Sequence, residues 1–214
     1  MEITWYGHSC FRMVERGMAS VVTDPYDHNV AGYAPLKLRT DIVTISHNTP
    51  GHGYLPAVKG AKHVITGPGE YEIGGVFITG FSTNGHKRSP KELPNTLYLF
   101  DFDPLTVLHL GDLSRVPSQS EIEALGEVNL ALVPVGGGGA LNPAQAAEVI
   151  GLIEPNYVIP MHYHTPHTSI KLLPLEKFLK EMGIGNIQQE TSFKITTSAL
   201  PEETQVVVLE PRLG

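Results

Sequence analysis

Short apolar runs, many of them rich in β-branched residues, alternate with turn-forming glycine and proline through the first half of the chain. This pattern predicts strands, because Val, Ile and Thr suit a pleated backbone whereas Gly and Pro interrupt it. The predicted strands of this half are residues 2–6, 11–14, 20–23, 42–46, 63–66, 71–73, 76–81, 96–102 and 107–110. The first three are separated by tight turns and predict a meander of hairpins.

Helical signals enter in the second half and alternate with further strands. Ser118 and Glu121 form a capping box that predicts a short helix to about residue 125, and Asn142 followed by Pro143 starts a helix to about residue 153. A third helix is predicted over residues 174–182, and strands over residues 130–135, 157–161, 192–196 and 205–209. Strands first and helices later predict an α+β sandwich, with sheets packed together and helices outside.

The bulk properties narrow the class of protein. The 214 residues, 41% of them hydrophobic, are enough for one core, so we expect a single domain over residues 1–214. A formal charge of -7 without a cluster of Lys and Arg gives no reason to expect nucleic acid or an anionic membrane as partner. Cys10 is the only cysteine and reads as a core residue; with no signal peptide or membrane span evident, we expect a cytoplasmic protein.

Ten histidines make imidazole chemistry worth examining. The clearest pair, His47 and His52, lies where the predicted strand 42–46 opens into a loop containing Pro50 and Gly51. Such a pair alone is more often a hydrogen-bonding feature than a metal site. Other histidines and acids also sit at strand ends, which is where a shared metal site would gather its ligands. The full set is His8, Asp24, His47, His52, His86, Asp112 and His162.

Several of these residues also have ordinary structural interpretations. His8 could be a hydrogen-bonding residue near the site or a ligand, and Asp24 could be a turn residue or could organise the metal loop. His109, inside a predicted strand, is expected to be buried and hydrogen-bonded. His164 and His167 could be exposed loop residues or could replace a lost ligand.

The motifs GHSCF, TDP, SH with a second His five residues on, GPGEYEIGGVFITG, HLGD, PVGGG and VIPMHY together carry a resemblance to a known family. They resemble the metallo-β-lactamase superfamily, and within it the small metal-dependent hydrolases that include enzymes similar to ascorbate-6-phosphate lactonase. The resemblance covers nearly the whole chain. It implies a four-layer αββα sandwich with a metal site along one edge of the sheets.

The resemblance also implies a ligand set, and the set is incomplete. The family loop H-x-H-x-D-H falls on residues 47–52, where Thr49 replaces the second histidine and Gly51 replaces the aspartate. Each of two metal positions thereby loses one of its four protein ligands. A single zinc or manganese ion, or none, is therefore expected. The implied metal ligands are His47, His52, His86, Asp112 and His162, with His8 and Asp24 supporting them.

The resemblance implies a hydrolase in which metal-activated water attacks an ester, a lactone or a phosphodiester of a small molecule. Asp112 and His162 are the expected catalytic residues. The run Gly136–Gly139 could cradle an anionic substrate or could be a plain turn. The alternative is a non-catalytic protein of the same fold that binds a small ligand or partner. A nuclease is disfavoured by the net charge and by the missing extra domain, and a homo-oligomer is left open.

Overall fold

The computed structural model describes residues 1–83, 94–185 and 187–213. The strands are β1 (Glu2–Trp5), β2 (Phe11–Val14), β3 (Val21–Thr23), β4 (Leu38–Arg39), β5 (Ile42–Thr44), β6 (Val58–Lys59), β7 (His63–Ile65), β8 (Gly69–Ile73), β9 (Val76–Ser82), β10 (Thr96–Asp101), β11 (Thr106–His109), β12 (Leu130–Pro134), β13 (Tyr157–Met161), β14 (Gln189–Glu190), β15 (Phe193–Lys194), β16 (Gln205–Val206) and β17 (Val208–Leu209). The α-helices are α1 (His28–Ala31), α2 (Gln119–Glu123), α3 (Pro143–Ile153) and α4 (Leu175–Glu181).

The first large sheet has the strand order β15-β1-β2-β3-β5-β7. Its N-terminal strands are antiparallel, as the predicted meander requires, and β3, β5 and β7 are parallel to one another. The carboxyl ends of β3 and β5 therefore lie side by side at one edge.

The second large sheet has the order β16-β13-β12-β11-β10-β9-β8. Strands β8 to β11 are antiparallel, whereas β11, β12, β13 and β16 run parallel. This parallel part again delivers several strand ends to one edge. Two small two-stranded sheets, β14 with β17 and β4 with β6, complete the pairing.

The hydrophobic core lies between the two large sheets. Trp5 and Phe11 of the first sheet and Tyr98 and Phe100 of the second belong to one buried cluster, which Phe178 of α4 also joins. A smaller buried cluster includes Ala31 of α1. The expected α+β sandwich is confirmed. Among the residues that the structure describes, no helix combines the length and apolar character that a membrane crossing needs.

Local signals fixed some elements better than others. The predicted capping box is present at Ser118 before α2, and Asn142, predicted to start α3, is its N-cap and forms a capping box with Gln145 as well. The predicted strand over residues 205–209 is two strands, because β16 pairs with β13 in the large sheet and β17 turns away to pair with β14. The four-residue helix α1, capped by Asp27, was not predicted.

Candidate metal centre

Both sheets deliver polar side chains to one shared edge. Asp24 follows β3, His47 and His52 lie in the loop after β5, Asp112 follows β11, His162 directly follows β13, and His8 lies in the turn between β1 and β2. These side chains form two overlapping groups, His8 with His52 and His162, and His47 with His52 and Asp112. Within each group the ligand atoms all lie within 4.8 Å of one another. The structure thus brings together every proposed site residue that it describes; His86 lies outside the described residues.

Asp24 organises the loop after β5. It is fully buried, and its carboxylate accepts hydrogen bonds from the Ser46 amide at 2.7 Å, the Ser46 hydroxyl at 2.5 Å and His52 Nδ1 at 2.8 Å. Burial works against both charges, but the Asp24–His52 hydrogen bond prevails: it holds the pKa of Asp24 below its ordinary value and raises the pKa of His52. Because His52 Nδ1 carries the bonded proton, Nε2 presents its lone pair to the centre when the ring is neutral.

His162 is placed by its backbone. Its φ of 53° is in the left-handed region, and its amide donates to the His8 carbonyl at 3.1 Å. A Cβ at Gly136 would lie 2.7 Å from Tyr163 Cα, so the first residue of the Gly136–Gly139 run lets this segment approach. Burial lowers the pKa of His162 to about 4, which keeps the ring neutral. Neither ring nitrogen has a hydrogen-bond partner among the described residues.

Asp112 projects from the end of β11 with its backbone held by Asn95. The Asp112 amide donates to Asn95 Oδ1 at 2.9 Å, and Asn95 Nδ2 donates to the Leu110 carbonyl at 3.2 Å. Asp112 Oδ1 lies 3.2 Å from His162 Nδ1, but the pair is not aligned for a hydrogen bond and this oxygen has no other partner in the described structure. Sequence reasoning missed the roles of Ser46 and Asn95; only Ser46, beside His47, carried any signal.

His47 lies in the centre but is also engaged by its own loop. Its Nε2 lies 3.1 Å from the Thr49 hydroxyl and 3.9 Å from Asp112 Oδ2. Burial lowers the pKa of His47, and the neighbouring His52 lowers it further, whereas the charge of Asp112 raises it; the net pKa is below the ordinary value. A metal that used His47 Nε2 would have to displace the Thr49 hydroxyl.

His8 lies inside the centre rather than behind it. Its Nε2 is 3.2 Å from His52 Nε2, and its ring centroid is 4.4 Å from that of His162. His109, by contrast, has both nitrogens engaged with backbone groups of Ser9 and Gly111, as the sequence interpretation expected.

His164 and His167 line a separate pocket with Glu176 and Glu210. Within the part of the chain that the structure describes, neither joins a metal-type group.

Comparison with known families decides the broader assignment. Residues 2–162 match a family model described as the β-lactamase superfamily domain. The chain belongs to the metallo-β-lactamase superfamily. A UPF0173 protein of Pyrococcus abyssi is 30% identical over 188 residues, which cover 77% of this chain and 84% of that protein. A UPF0173 metal-dependent hydrolase of Thermoplasma acidophilum is 27% identical over 192 residues, with the same coverage of 77% and 84%.

Solved structures support the fold of this superfamily member. A candidate zinc-dependent hydrolase of the metallo-β-lactamase superfamily from Thermotoga maritima superposes with a TM-score of 0.77 at 33% identity, covering 97% of each chain. A metallohydrolase of Ignicoccus hospitalis gives a TM-score of 0.66 at 22% identity, covering 91% of this chain and 99% of its own, and shows the shared fold.

Proposed function

We propose that the protein is a metal-dependent hydrolase that cleaves an ester, lactone or phosphodiester at a centre holding one metal ion. The observation that carries the proposal is a set of buried ligand atoms without protein partners in the described structure: both ring nitrogens of His162 and Oδ1 of Asp112. Buried polar atoms are normally paired, so imidazole and carboxylate atoms that face one another without protein partners are suited to bind a cation. The names of the UPF0173 relatives support the same activity.

The donor atoms fit a divalent transition metal such as zinc or manganese. His52, His162 and Asp112 would hold the ion and leave a position open, as catalytic zinc sites do. A metal bound there would polarise the scissile carbonyl or phosphoryl oxygen and make an attacking water more acidic.

The side chains around the ion have distinct tasks. Asp112, whose side chain is 22% exposed, orients the attacking water through its carboxylate. Asp24 fixes the tautomer of His52. A pocket of about 340 Å³, lined in part by His47, Asn48 and Thr49, lies beside the centre and could receive a small polar substrate.

The altered loop supports one metal rather than two. The position of Thr49 provides only a neutral hydroxyl, and that hydroxyl is directed at His47 Nε2. The half of the centre that depends on His47 is therefore weakened. His52 and His162 belong to a group whose ligand atoms all lie within 4.8 Å of one another, and Asp112 Oδ1 lies 3.2 Å from His162 Nδ1.

The proposal is tested by metal analysis and a substrate panel. Protein purified without chelator is assayed for bound metal, and for zinc- or manganese-dependent hydrolysis of 4-nitrophenyl acetate, a simple lactone and bis(4-nitrophenyl) phosphate. Asp112→Asn should lower kcat/KM at least about 100-fold, equivalent to about 2.7 kcal/mol of transition-state stabilisation. Asp101→Asn is the matched control, because in the described structure the Asp101 carboxylate accepts a hydrogen bond from the Asp103 amide at 2.8 Å, and Asn keeps that acceptor.

Two outcomes would contradict the proposal. Protein that contains no transition metal, and that zinc and manganese do not stabilise thermally, would exclude the metal centre. Activity that appears only after Thr49→His and Gly51→Asp are combined would favour the non-catalytic ligand-binding alternative.

A further inference from the structure

The missing side chain at residue 51 leaves a space that another residue fills. A Cβ built on Gly51 would lie 3.4 Å from His8 Nε2 and 3.9 Å from His8 Cδ2. A side chain extending from residue 51 into the centre would therefore meet the His8 imidazole. His8 comes from the β1–β2 turn, more than forty positions earlier in the chain.

The imidazole of His8 faces the two histidines that remain on this side of the centre. Its Nε2 lies 3.2 Å from Nε2 of His52, the nitrogen that Asp24 leaves free, and its ring centroid lies 4.4 Å from that of His162. The ligand atoms of the three rings all fall within 4.8 Å of one another, and all three residues are buried.

Backbone contacts hold His8 in this position. Its carbonyl accepts hydrogen bonds from the His162 amide at 3.1 Å and from Trp5 Nε1 at 3.1 Å. Its own φ is 51°, and the preceding Gly7, with φ of 99°, packs so closely on the Tyr33 ring that a Cβ there would lie 2.5 Å from it. The turn is thus built to deliver an imidazole at a left-handed backbone position that few residues adopt.

We propose that His8 supplies the ligand that residue 51 lacks, so that the metal is held by the imidazoles of His8, His52 and His162 with Asp112 beside them. This inference rests on the proposed metal centre and deepens it. Three imidazoles select for zinc or cobalt over manganese, because manganese prefers oxygen ligands. The competing role for His8 is structural: its Nε2–H would donate a hydrogen bond to His52 Nε2, and the 3.2 Å between these two atoms fits that bond as well.

Metal-binding measurements separate the two roles without an activity assay. The chelator-stripped protein is titrated with Zn²⁺ against a chromophoric chelator, and with Co²⁺ while its visible absorption is recorded. His8→Ala and His8→Gln should each weaken zinc binding at least about tenfold, since losing an outer partner of a ligand already costs that much. His164→Gln is the matched control: it removes the histidine that could otherwise have replaced a ligand and should bind zinc as the parent does.

A compensating variant tests the exchange of positions directly. In His8→Ala/Gly51→Asp the carboxylate enters the space that the imidazole leaves, so zinc affinity should recover at least about tenfold relative to His8→Ala. Manganese affinity should rise relative to zinc, because an oxygen ligand replaces a nitrogen. Gly51→Asp alone should not give this gain, since His8 still occupies the space.

The inference and the proposed function fail in different ways. If the parent protein binds no metal, the proposed function fails. If the parent binds zinc but both folded His8 variants bind it within about twofold, with the parent's cobalt spectrum, His8 is structural and the inference is overturned. Zinc X-ray absorption on the parent gives a test that does not depend on any variant: three imidazole ligands are expected, and fewer would overturn the inference.

Discussion

Replacing Asp24 by Asn should reveal how strongly one buried carboxylate supports both the fold and the metal centre. Oδ1 of Asp24 accepts from the Ser46 amide at 2.7 Å, and Oδ2 accepts from both the Ser46 hydroxyl at 2.5 Å and His52 Nδ1 at 2.8 Å. If the Asn oxygen keeps the amide bond, the Asn NH₂ group stands where Oδ2 stood. It then faces two donors instead of accepting from them.

The magnitude follows from the two lost bonds. Each hydrogen bond to a buried charged group contributes about 1.5–3 kcal/mol, so Asp24→Asn should lower the free energy of unfolding by about 3 kcal/mol or more. For a chain of this length each 1 kcal/mol shifts Tm by about 2–4 °C, so Tm should fall by about 6–12 °C. The clash between the Asn NH₂ group and His52 Nδ1–H is removed if the His52 proton moves to Nε2, but Nε2 then has no lone pair for the metal. Zinc affinity should therefore also fall about 10- to 100-fold.

Asp41→Asn provides a matched control. Asp41 also accepts from a serine amide and hydroxyl, those of Ser20 at 3.0 Å and 2.8 Å. It is only half-buried, and among the described residues it has no histidine partner. We expect a smaller loss of Tm and unchanged zinc affinity. Thermal unfolding with and without zinc measures both quantities. Equal losses of Tm in the two variants, or zinc affinity retained in Asp24→Asn, would refute the reasoning.

Two further predictions concern features outside the ligand set. Arg115 donates hydrogen bonds to both carboxylate oxygens of Glu121, and these bonds lower the pKa of Glu121 to about 2. The ionised Glu121 therefore stabilises the fold above its ordinary pKa, and this stabilisation is lost as pH falls from about 4.5 towards 2. Glu121→Gln should reduce the difference between the urea midpoints measured at about pH 6 and at about pH 3. The reduction should be small, because both side chains of the pair are more than a third exposed. A difference equal to that of the parent would contradict the prediction. Gly136→Ala should destabilise the protein by about 1–3 kcal/mol and weaken zinc binding, because its Cβ would collide with the His162 carbonyl. Gly151→Ala on α3, with open space around its Cβ, should be neutral or stabilising, and equal Tm losses in the two glycine variants would contradict the steric argument.

The sequence was sufficient to predict where the chemistry gathers. Strand-end placement alone suggested that Asp112 and His162 would converge, and they do, because β11 and β13 run parallel in one sheet and deliver their carboxyl ends to one edge. The capping box at Ser118 and the N-cap at Asn142 were equally informative, since their hydrogen bonds close within four residues. Periodicity and short-range hydrogen bonding involve residues that are close in sequence, so both can be predicted without knowledge of the tertiary structure.

Other features depend on contacts that no linear pattern records. Asn95 holds the backbone of Asp112 across seventeen positions, and nothing in its own neighbourhood distinguishes it from a loop asparagine. The division of residues 205–209 between two sheets is decided by which strand each half meets, not by its propensity. The sequence left two interpretations of His8 open for the same reason. The role of His8 depends on the space beside Gly51, and only the folded chain defines that space.

The two substitutions in the loop after β5 therefore have opposite physical consequences, although they look alike in the sequence. Thr49 adds a hydroxyl that engages Nε2 of His47, so a metal would have to compete for that nitrogen. Gly51 removes a side chain, and the vacated volume holds the imidazole of His8, whose backbone is tied to that of His162. A sequence motif describes the ligands of one loop, whereas a metal ion can bind any donor atom close to it, from whichever strand or loop that atom comes. The described centre is thus asymmetric: Nε2 of His47 is engaged by the Thr49 hydroxyl, whereas the ligand atoms of His8, His52 and His162 all lie within 4.8 Å of one another.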